Sequence, residues 1–151
     1  MELKVGDIIP NFTAKDTNGN DFDSSEIVGI KPVVFYFYPK DNTPGCTAQA
    51  CSFRDQYQDF KDLGAEVIGI SNDSVESHQK FSKRYKLPFL LLSDSNSKLK
   101  KMFGVKTNLL GLIPGRVTYL ADKTGTIQFI FDSVLATKHI PKALDFLKKM
   151  Q

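Results

Sequence analysis

The two cysteines, Cys46 and Cys51, are the side chains of this chain best suited to covalent chemistry. A thiolate is a nucleophile and a metal ligand, and it can be oxidised through a sulfenic acid to a disulfide. Cys46 lies in the first turn of a predicted helix, where free N–H groups and the helix dipole favour an anion. From its position alone, Cys46 is either an activated nucleophile or a core cysteine, and both interpretations stay open.

The helix that carries both cysteines is predicted over residues 43–63. Thr43 suits the N-cap, Pro44 suits the first turn and Gly64 suits the end of the helix. Apolar side chains recur on one face of this segment, at Cys46, Ala50, Phe53, Tyr57 and Phe60. The continuously apolar run at residues 32–38 predicts a central strand just before the helix. Ligand sites of open α/β sheets lie at this kind of strand-to-helix junction.

The spacing of the two cysteines limits how they can pair. Five residues along an ideal helix place two Cα atoms about 8.6 Å apart, from a rise of ~1.5 Å per residue and a radius of ~2.3 Å. A disulfide needs a separation below about 7 Å. A static disulfide between Cys46 and Cys51 is therefore disfavoured, and a catalytic one requires local unwinding of the helix.

A metal site is the competing interpretation of the cysteines, and the sequence disfavours it. The C-x4-C spacing is wide for a zinc knuckle, and His78 and His139 are far apart in the sequence. We interpret His78 as a partly buried core histidine on the apolar side of its helix. The C-x-x-C spacing of thioredoxin-like exchange is absent. We expect no metal and no haem, flavin or nucleotide cofactor.

Strand and helix patterns alternate early in the chain, and a hairpin follows late. A hairpin is predicted around the turn at residues 16–20, and further strands at 67–70, 89–92, 117–121 and 126–131. Helices are predicted at 74–85, at 96–103 and at the C-terminus. This order favours one α/β domain over residues 1–151, with a mixed central sheet flanked by helices and an N-terminal β-hairpin.

Composition excludes several classes of partner. The chain has 151 residues, 20 of them basic and 17 acidic, and a net charge of +3. This small excess, without any run of like charges, argues against nucleic-acid binding. The apolar runs are far shorter than the ~20 residues of a membrane-spanning helix. Residues 1–7 have no leader-like pattern, so we expect a cytoplasmic protein.

The region around Cys46 resembles the peroxiredoxins. Residues 39–46 carry the spacing P-x-x-x-T-x-x-C, with Pro39, Thr43 and Cys46 at the fixed positions. The second cysteine, five residues later, is similar to the bacterioferritin comigratory protein, or peroxiredoxin Q, subfamily. The similarity runs from residue 5 through residues 67–73 to the hairpin at 116–127. It implies a thioredoxin-like fold and a thiol-dependent peroxidase, and the subfamily pattern favours a monomer.

The resemblance also implies a role for each site residue. Cys46 would attack a hydroperoxide and become a sulfenic acid, and Cys51 would resolve it to an intramolecular disulfide. A thioredoxin or glutaredoxin-like donor would reduce that disulfide. Thr43 would hydrogen-bond the peroxide, and Pro39 would shield the thiolate. Arg116 would place its cation beside the sulfur.

Three points qualify this interpretation. Arg54 is about 12 Å along the helix axis from Cys46, at ~1.5 Å per residue, so it is not expected to contact that sulfur. Pro114 and Gly115 depart from the family pattern before Arg116, and the loop at residues 106–113 is either core cover or a contact surface. Two other functions stay open: a thiol–disulfide oxidoreductase that acts on proteins, and a non-enzymatic redox-sensing module.

Overall fold

One mixed sheet organises the residues that the computed structural model describes, which are 2–106 and 115–150. Its seven strands are β1 (Thr13–Asp16), β2 (Asp21–Asp23), β3 (Val33–Phe37), β4 (Glu66–Ser71), β5 (Leu90–Ser93), β6 (Val117–Ala121) and β7 (Ile127–Asp132). Their order across the sheet is β2-β1-β5-β4-β3-β6-β7. The helices are α1 (Pro44–Asp62), α2 (Val75–Tyr85), α3 (Lys98–Phe103) and α4 (His139–Lys149).

Strand β3 is the central strand that the sequence predicted. It pairs in parallel with β4 and antiparallel with β6, and all five of its residues are buried. Its side chains alternate between the two faces, since Val34 and Tyr36 join one core cluster while Phe35 and Phe37 join the other. Burial on both faces explains why this strand is continuously apolar rather than alternating.

Helices cover both faces of the sheet, as predicted. Helices α1, α2 and α4 pack against one face, through Phe53, Phe81 and Ile140 among others. Helix α3 and the segment before the hairpin cover the opposite face, where Phe12 and Phe103 pack edge to face with centroids 6.1 Å apart. Burying a side chain of this size contributes about 1.5–3 kcal/mol. The two cores therefore fix the sheet between the helices and hold the ends of its strands in place.

The predicted N-terminal hairpin is confirmed. Strand β1 pairs antiparallel with β2, from Thr13 opposite Asp23 to Lys15 opposite Asp21. Gly19 has a φ of +80° in the connecting turn, a conformation that side chains with a Cβ rarely adopt. The hairpin joins the main sheet because β1 also pairs with β5.

Some expectations fall on other parts of the chain. The predictions about Pro114 and about the apolar residues of the loop at 106–113 lie outside the described residues. Two short 3-10 helices, Ser24–Glu26 and Ala136–Lys138, were not predicted. Across residues 2–106 and 115–150, the structure has no helix with the length and apolar character needed to cross a membrane.

Candidate active site

The junction between β3 and α1 leads into the helix that carries the two cysteines. Thr43 occupies the N-cap position with an extended backbone, and its carbonyl accepts the first helical hydrogen bond from the Thr47 N–H at 2.8 Å. The sequence suggested that Thr43 caps the helix, but its hydroxyl makes no capping hydrogen bond. The hydroxyl donates instead to the carbonyl of Lys40 at 2.9 Å. The side chain of Thr43 therefore closes the preceding loop instead of satisfying a helical N–H group.

Cys46 lies in the first turn of α1, as predicted, with its side chain in the core cluster beneath the helix. Its exposed fraction is 1%, while Thr43, Gly45 and Thr47 around it are half-buried. Arg116 donates a hydrogen bond from Nη2 to Cys46 Sγ at 3.4 Å. The guanidinium and the helix N-terminus both stabilise negative charge on this sulfur.

The register of the sheet explains why Arg116 reaches Cys46 from 70 positions away. Strands β3 and β6 are antiparallel, with Phe37 opposite Val117. The end of β3 and the start of β6 therefore meet at one edge of the sheet. Arg116 directly precedes β6, and the loop to Cys46 directly follows β3, so the two side chains converge above this edge.

Two neighbours set the orientation of the Arg116 guanidinium. Its Nη1 donates to Gln49 Oε1, and Gln49 is completely buried one helical turn after Cys46. A Cβ at position 45 would lie 3.2 Å from Nη2, so Gly45 leaves the space that the guanidinium occupies. The sequence analysis missed Gln49. A polar residue at i+3 from Cys46, beside the apolar face of α1, was the signal that could have revealed it.

The remaining predicted site residues lie near this centre without a described contact to the sulfur. Cys51 is free and half-buried, further along α1. Pro39 is half-buried in the loop after β3. Arg54 donates to Asp55 Oδ1 at 3.0 Å and to the Tyr85 carbonyl at 2.8 Å, which agrees with the expectation that it does not serve Cys46.

Two aromatic rings of β3 and its continuation share the Cys46 side of the sheet. Tyr36 stacks on Phe53 with centroids 4.5 Å apart and on Tyr38 with centroids 5.4 Å apart. Burial raises the pKa of Tyr36 well above its ordinary value, and the nearby Cys46 sulfur raises it further. The Tyr36 phenol therefore stays protonated and adds no negative charge beneath Cys46.

His78 differs from the partly buried core histidine that the sequence predicted. It is completely buried, and its Nδ1 lies 2.7 Å from Asp41 Oδ2. Asp41, Asp73 and His78 together have the spacing of possible metal ligands. Hydrogen bonds already explain their arrangement, since the Ser71 hydroxyl donates to Asp73 Oδ2 at 2.6 Å and the Asp41 N–H donates to the same atom at 2.9 Å. This cluster supports the loop rather than indicating a bound ion.

His139 is a second buried histidine close to Arg116. Its Nδ1 lies 2.7 Å from Thr118 Oγ1, and its Nε2 lies 2.8 Å from the Ser133 carbonyl. Burial lowers the pKa of His139 from 6.5 to about 4, and the positive charge of Arg116 contributes to this lowering. The ring is therefore neutral at pH 7, with a hydrogen on Nε2 and an acceptor at Nδ1.

This lowered pKa predicts a loss of stability in acid. The unfolded chain takes up a proton on His139 near pH 6.5, whereas the folded chain resists it until about pH 4. The stabilisation is complete above pH 6.5 and is lost as the pH falls to about 4, by roughly 3 kcal/mol of unfolding free energy. Urea unfolding of the parent and of His139→Gln near neutral pH and in mild acid measures it. An equal loss in both proteins would contradict this assignment to His139.

Comparisons with known proteins show which family this chain is similar to. The model of the AhpC/TSA family matches residues 5–130. The chain is 51% identical over 148 residues to the chloroplastic peroxiredoxin Q of Gentiana triflora, covering 97% of this chain and 68% of that protein. It is 51% identical over 151 residues to the chloroplastic peroxiredoxin Q of Sedum lineare, covering 99% and 81%.

Solved structures show the same similarity. The peroxidoxin BcpB of Mycobacterium tuberculosis superposes with a TM-score of 0.91 at 34% identity, covering 99% of each chain. A mutant form of PrxQ from Xylella fastidiosa gives a TM-score of 0.91 at 30% identity, covering 99% of this chain and 98% of that one. The mixed sheet flanked by helices is thus the thioredoxin-like peroxiredoxin fold. The chain belongs to the AhpC/TSA family and, within it, to the peroxiredoxins of the peroxiredoxin Q or bacterioferritin comigratory protein type.

Proposed function

We propose that this protein reduces hydroperoxides with Cys46 as the attacking thiolate and Cys51 as the resolving thiol. Thiol-dependent peroxidase activity follows from membership of the peroxiredoxins. The observation that supports the assignment to Cys46 is the hydrogen bond from Arg116 Nη2 to its sulfur at 3.4 Å, in the first turn of α1.

The first proposed step breaks the O–O bond of the peroxide. The Cys46 thiolate attacks the terminal oxygen and becomes a sulfenic acid, and the other oxygen leaves and takes up a proton as water or an alcohol. The charge of Arg116 stabilises the polarised O–O bond in the transition state. The Thr43 hydroxyl donates its hydrogen to Lys40, so its lone pairs are free to accept the peroxide O–H. We assign to Pro39 the role of shielding the Cys46 thiolate.

The second proposed step forms the Cys46–Cys51 disulfide. The Cys51 thiol attacks the sulfenic sulfur and releases water, so no further oxidant is needed. Both cysteines lie within α1, where the helical spacing is too long for a disulfide, so part of the helix must unwind first. A thioredoxin or glutaredoxin-like donor then reduces the disulfide by thiol exchange.

Two other functions would require different properties of the Cys46 sulfur. A thiol–disulfide oxidoreductase must present its thiol to a protein disulfide, whereas Cys46 is 1% exposed. This burial favours a small substrate. A redox-sensing module would be oxidised at Cys46 but would not turn over. A cytoplasmic location and a monomeric state remain predictions from the sequence.

Turnover with a supplied donor tests the proposed function. We expect the reduced protein to consume many equivalents of hydrogen peroxide when thioredoxin, its reductase and NADPH are present, because each cycle ends in a reducible disulfide. NADPH oxidation measures this rate, and a turbidity assay with insulin measures protein disulfide reduction. Rapid insulin reduction with slow peroxide consumption would indicate the oxidoreductase. Oxidation that stops after one equivalent would indicate the sensor.

A further inference from the structure

The loop that precedes the Cys46 helix is held by a buried carboxylate. Asp41 Oδ1 accepts a hydrogen bond from the Tyr38 phenol at 2.6 Å. Asp41 Oδ2 accepts one from the Ser77 hydroxyl at 2.8 Å and lies 2.7 Å from His78 Nδ1. The side chains of Asp41 and His78 are 1% and 0% exposed. The loop is therefore fixed to the N-terminal turn of α2 by contacts that exclude water.

Both ring nitrogens of His78 have a hydrogen-bond partner. Its Nδ1 faces the Asp41 carboxylate, and its Nε2 lies 3.0 Å from the Leu92 carbonyl. Both separations are hydrogen-bond distances, so the ring is held between the loop on one side and β5 on the other. Removing one partner of a buried hydrogen bond is destabilising because the other partner is left unsatisfied. The pair consequently resists any movement that would separate the loop from α2.

The backbone of the same loop has a second attachment. The Asp41 N–H donates to Asp73 Oδ2 at 2.9 Å, and the Ser71 hydroxyl holds that carboxylate at 2.6 Å. Asp41 is thus fixed through both its side chain and its backbone, just before Thr43. Any displacement of Asp41 would move the Thr43 hydroxyl, which is bonded to the carbonyl of the adjacent Lys40.

Helix α2 also holds the far end of the segment that bears the cysteines. Arg54 donates from Nη1 to the carbonyl of Tyr85, the last residue of α2, at 2.8 Å. Cys46 and Cys51 both lie between this bond and the Asp41 contacts. The two ends of the cysteine segment are therefore tied to the two ends of one helix.

We propose that the Asp41–His78 pair is a positioning device for the loop that leads to Cys46. It holds the folded arrangement in which Cys46 meets Arg116 and the peroxide, and so opposes the unwinding that brings Cys46 to Cys51. The pair thereby sets the balance between a fast first oxidation and a fast disulfide formation. This inference rests on the proposed two-step thiol cycle.

We expect variants of this pair to change the rates of the two steps in opposite directions. Asp41→Asn should slow the first oxidation of Cys46 about tenfold, because the loop is misplaced in part of the population. The same variant should speed disulfide formation several-fold, because its folded loop is easier to unwind. Tyr38→Phe, which removes one hydrogen bond to Asp41, should shift both rates in the same directions by less. Tyr38→Phe keeps the packing of the ring, and it tests the same proposal if Asp41→Asn folds poorly.

A matched control separates positioning from general loss of stability. Ile127→Ala removes a completely buried side chain from the opposite face of the sheet, and should destabilise the protein without touching the loop. It should leave the ratio of the two rates unchanged. Since the chain has no tryptophan, rapid acid quench and mass spectrometry of the thiol, sulfenic acid and disulfide forms give both rates. Hydrogen exchange of the reduced proteins should be faster in amides 41–50 of Asp41→Asn and not in those of Ile127→Ala.

The outcomes are distinguishable. If the parent protein does not oxidise at Cys46, the proposed function fails. If the parent oxidises in two steps but Asp41→Asn and Tyr38→Phe change both rates in the same direction, or match Ile127→Ala, then only the positioning role of the pair is refuted.

Discussion

Replacing Cys46 by serine should lower the rate of peroxide reduction by roughly a thousandfold or more. A serine hydroxyl at this position is neutral and is a poor nucleophile towards oxygen. The Arg116 guanidinium and the N-terminus of α1 stabilise an existing anion, and neither can accept a proton from serine. Direct measurement of residual peroxide after mixing with reduced Cys46→Ser tests this expectation. A rate equal to that of the parent would rule out Cys46 as the nucleophile.

Cys51→Ser is the matched comparison for that variant. It keeps the Cys46 sulfur, the Arg116 contact and the first turn of α1, so one equivalent of peroxide should react at close to the parent rate. The reaction should then stop at a sulfenic acid, because the resolving thiol is absent, and excess peroxide should oxidise it further. Mass spectrometry would show the added oxygen atoms. Continued turnover of Cys51→Ser with thioredoxin would contradict the proposed disulfide.

Local patterns were sufficient to predict most of the fold. The predicted helix at residues 43–63 corresponds to α1, Pro44–Asp62, because its first-turn proline and its apolar spacing indicate the same element. The predicted strand at 117–121 corresponds to β6, Val117–Ala121. The order of the strands, by contrast, could not be predicted from local patterns. It places β4 between β3 and β5, and it depends on which faces bury together across the whole chain.

The site was predictable where its chemistry is local and only by resemblance where it is not. Cys46 lies in the first turn of a helix that its neighbours specify. Arg116 is 70 positions away, and only the pairing of Phe37 with Val117 brings it to the sulfur. No periodicity in the sequence encodes that register, so the family pattern alone indicated Arg116.

Buried polar pairs were the features that sequence reasoning missed. The sequence analysis did not single out Asp41, and it placed His78 on the apolar side of its helix. Their pairing spans 37 positions, and the energy of a buried polar pair depends on desolvation and on partners from other elements. Gln49 was also missed: its polar side chain at i+3 from Cys46 was a signal, but its partner Arg116 comes from another element.

Arg116→Met should slow the first oxidation of Cys46 by about 100- to 1000-fold, the range found for losing one preorganised electrostatic contact. It removes the cation that contacts the sulfur while keeping an unbranched side chain in the same space. Arg84→Met is the matched control, because Arg84 is an exposed arginine of α2 that stacks over Tyr85. Equal rates for the parent and Arg116→Met, measured by rapid quench with hydrogen peroxide, would exclude the proposed role.

Arg116→Lys separates charge from geometry. A lysine ammonium carries the same charge but lacks the planar fork that contacts Gln49 and Cys46 at once. We therefore expect an intermediate rate, about tenfold below the parent, if orientation contributes as well as charge. A rate for Arg116→Lys equal to that of the parent would show that charge alone is sufficient, and that the contact with Gln49 is not needed for the reaction.

His139 provides a readout of the Arg116 charge that does not depend on activity. The positive charge of Arg116 is one of the causes that lower the pKa of His139. Removing it in Arg116→Met should therefore raise that pKa, whereas Arg116→Lys and Arg84→Met should leave it lowered. Following the imidazole resonances by NMR as the pH is lowered measures the change. If Arg116→Met is slow and the pKa of its His139 has risen, the variant is folded and has lost the charge at position 116. Its slow rate then reports on catalysis.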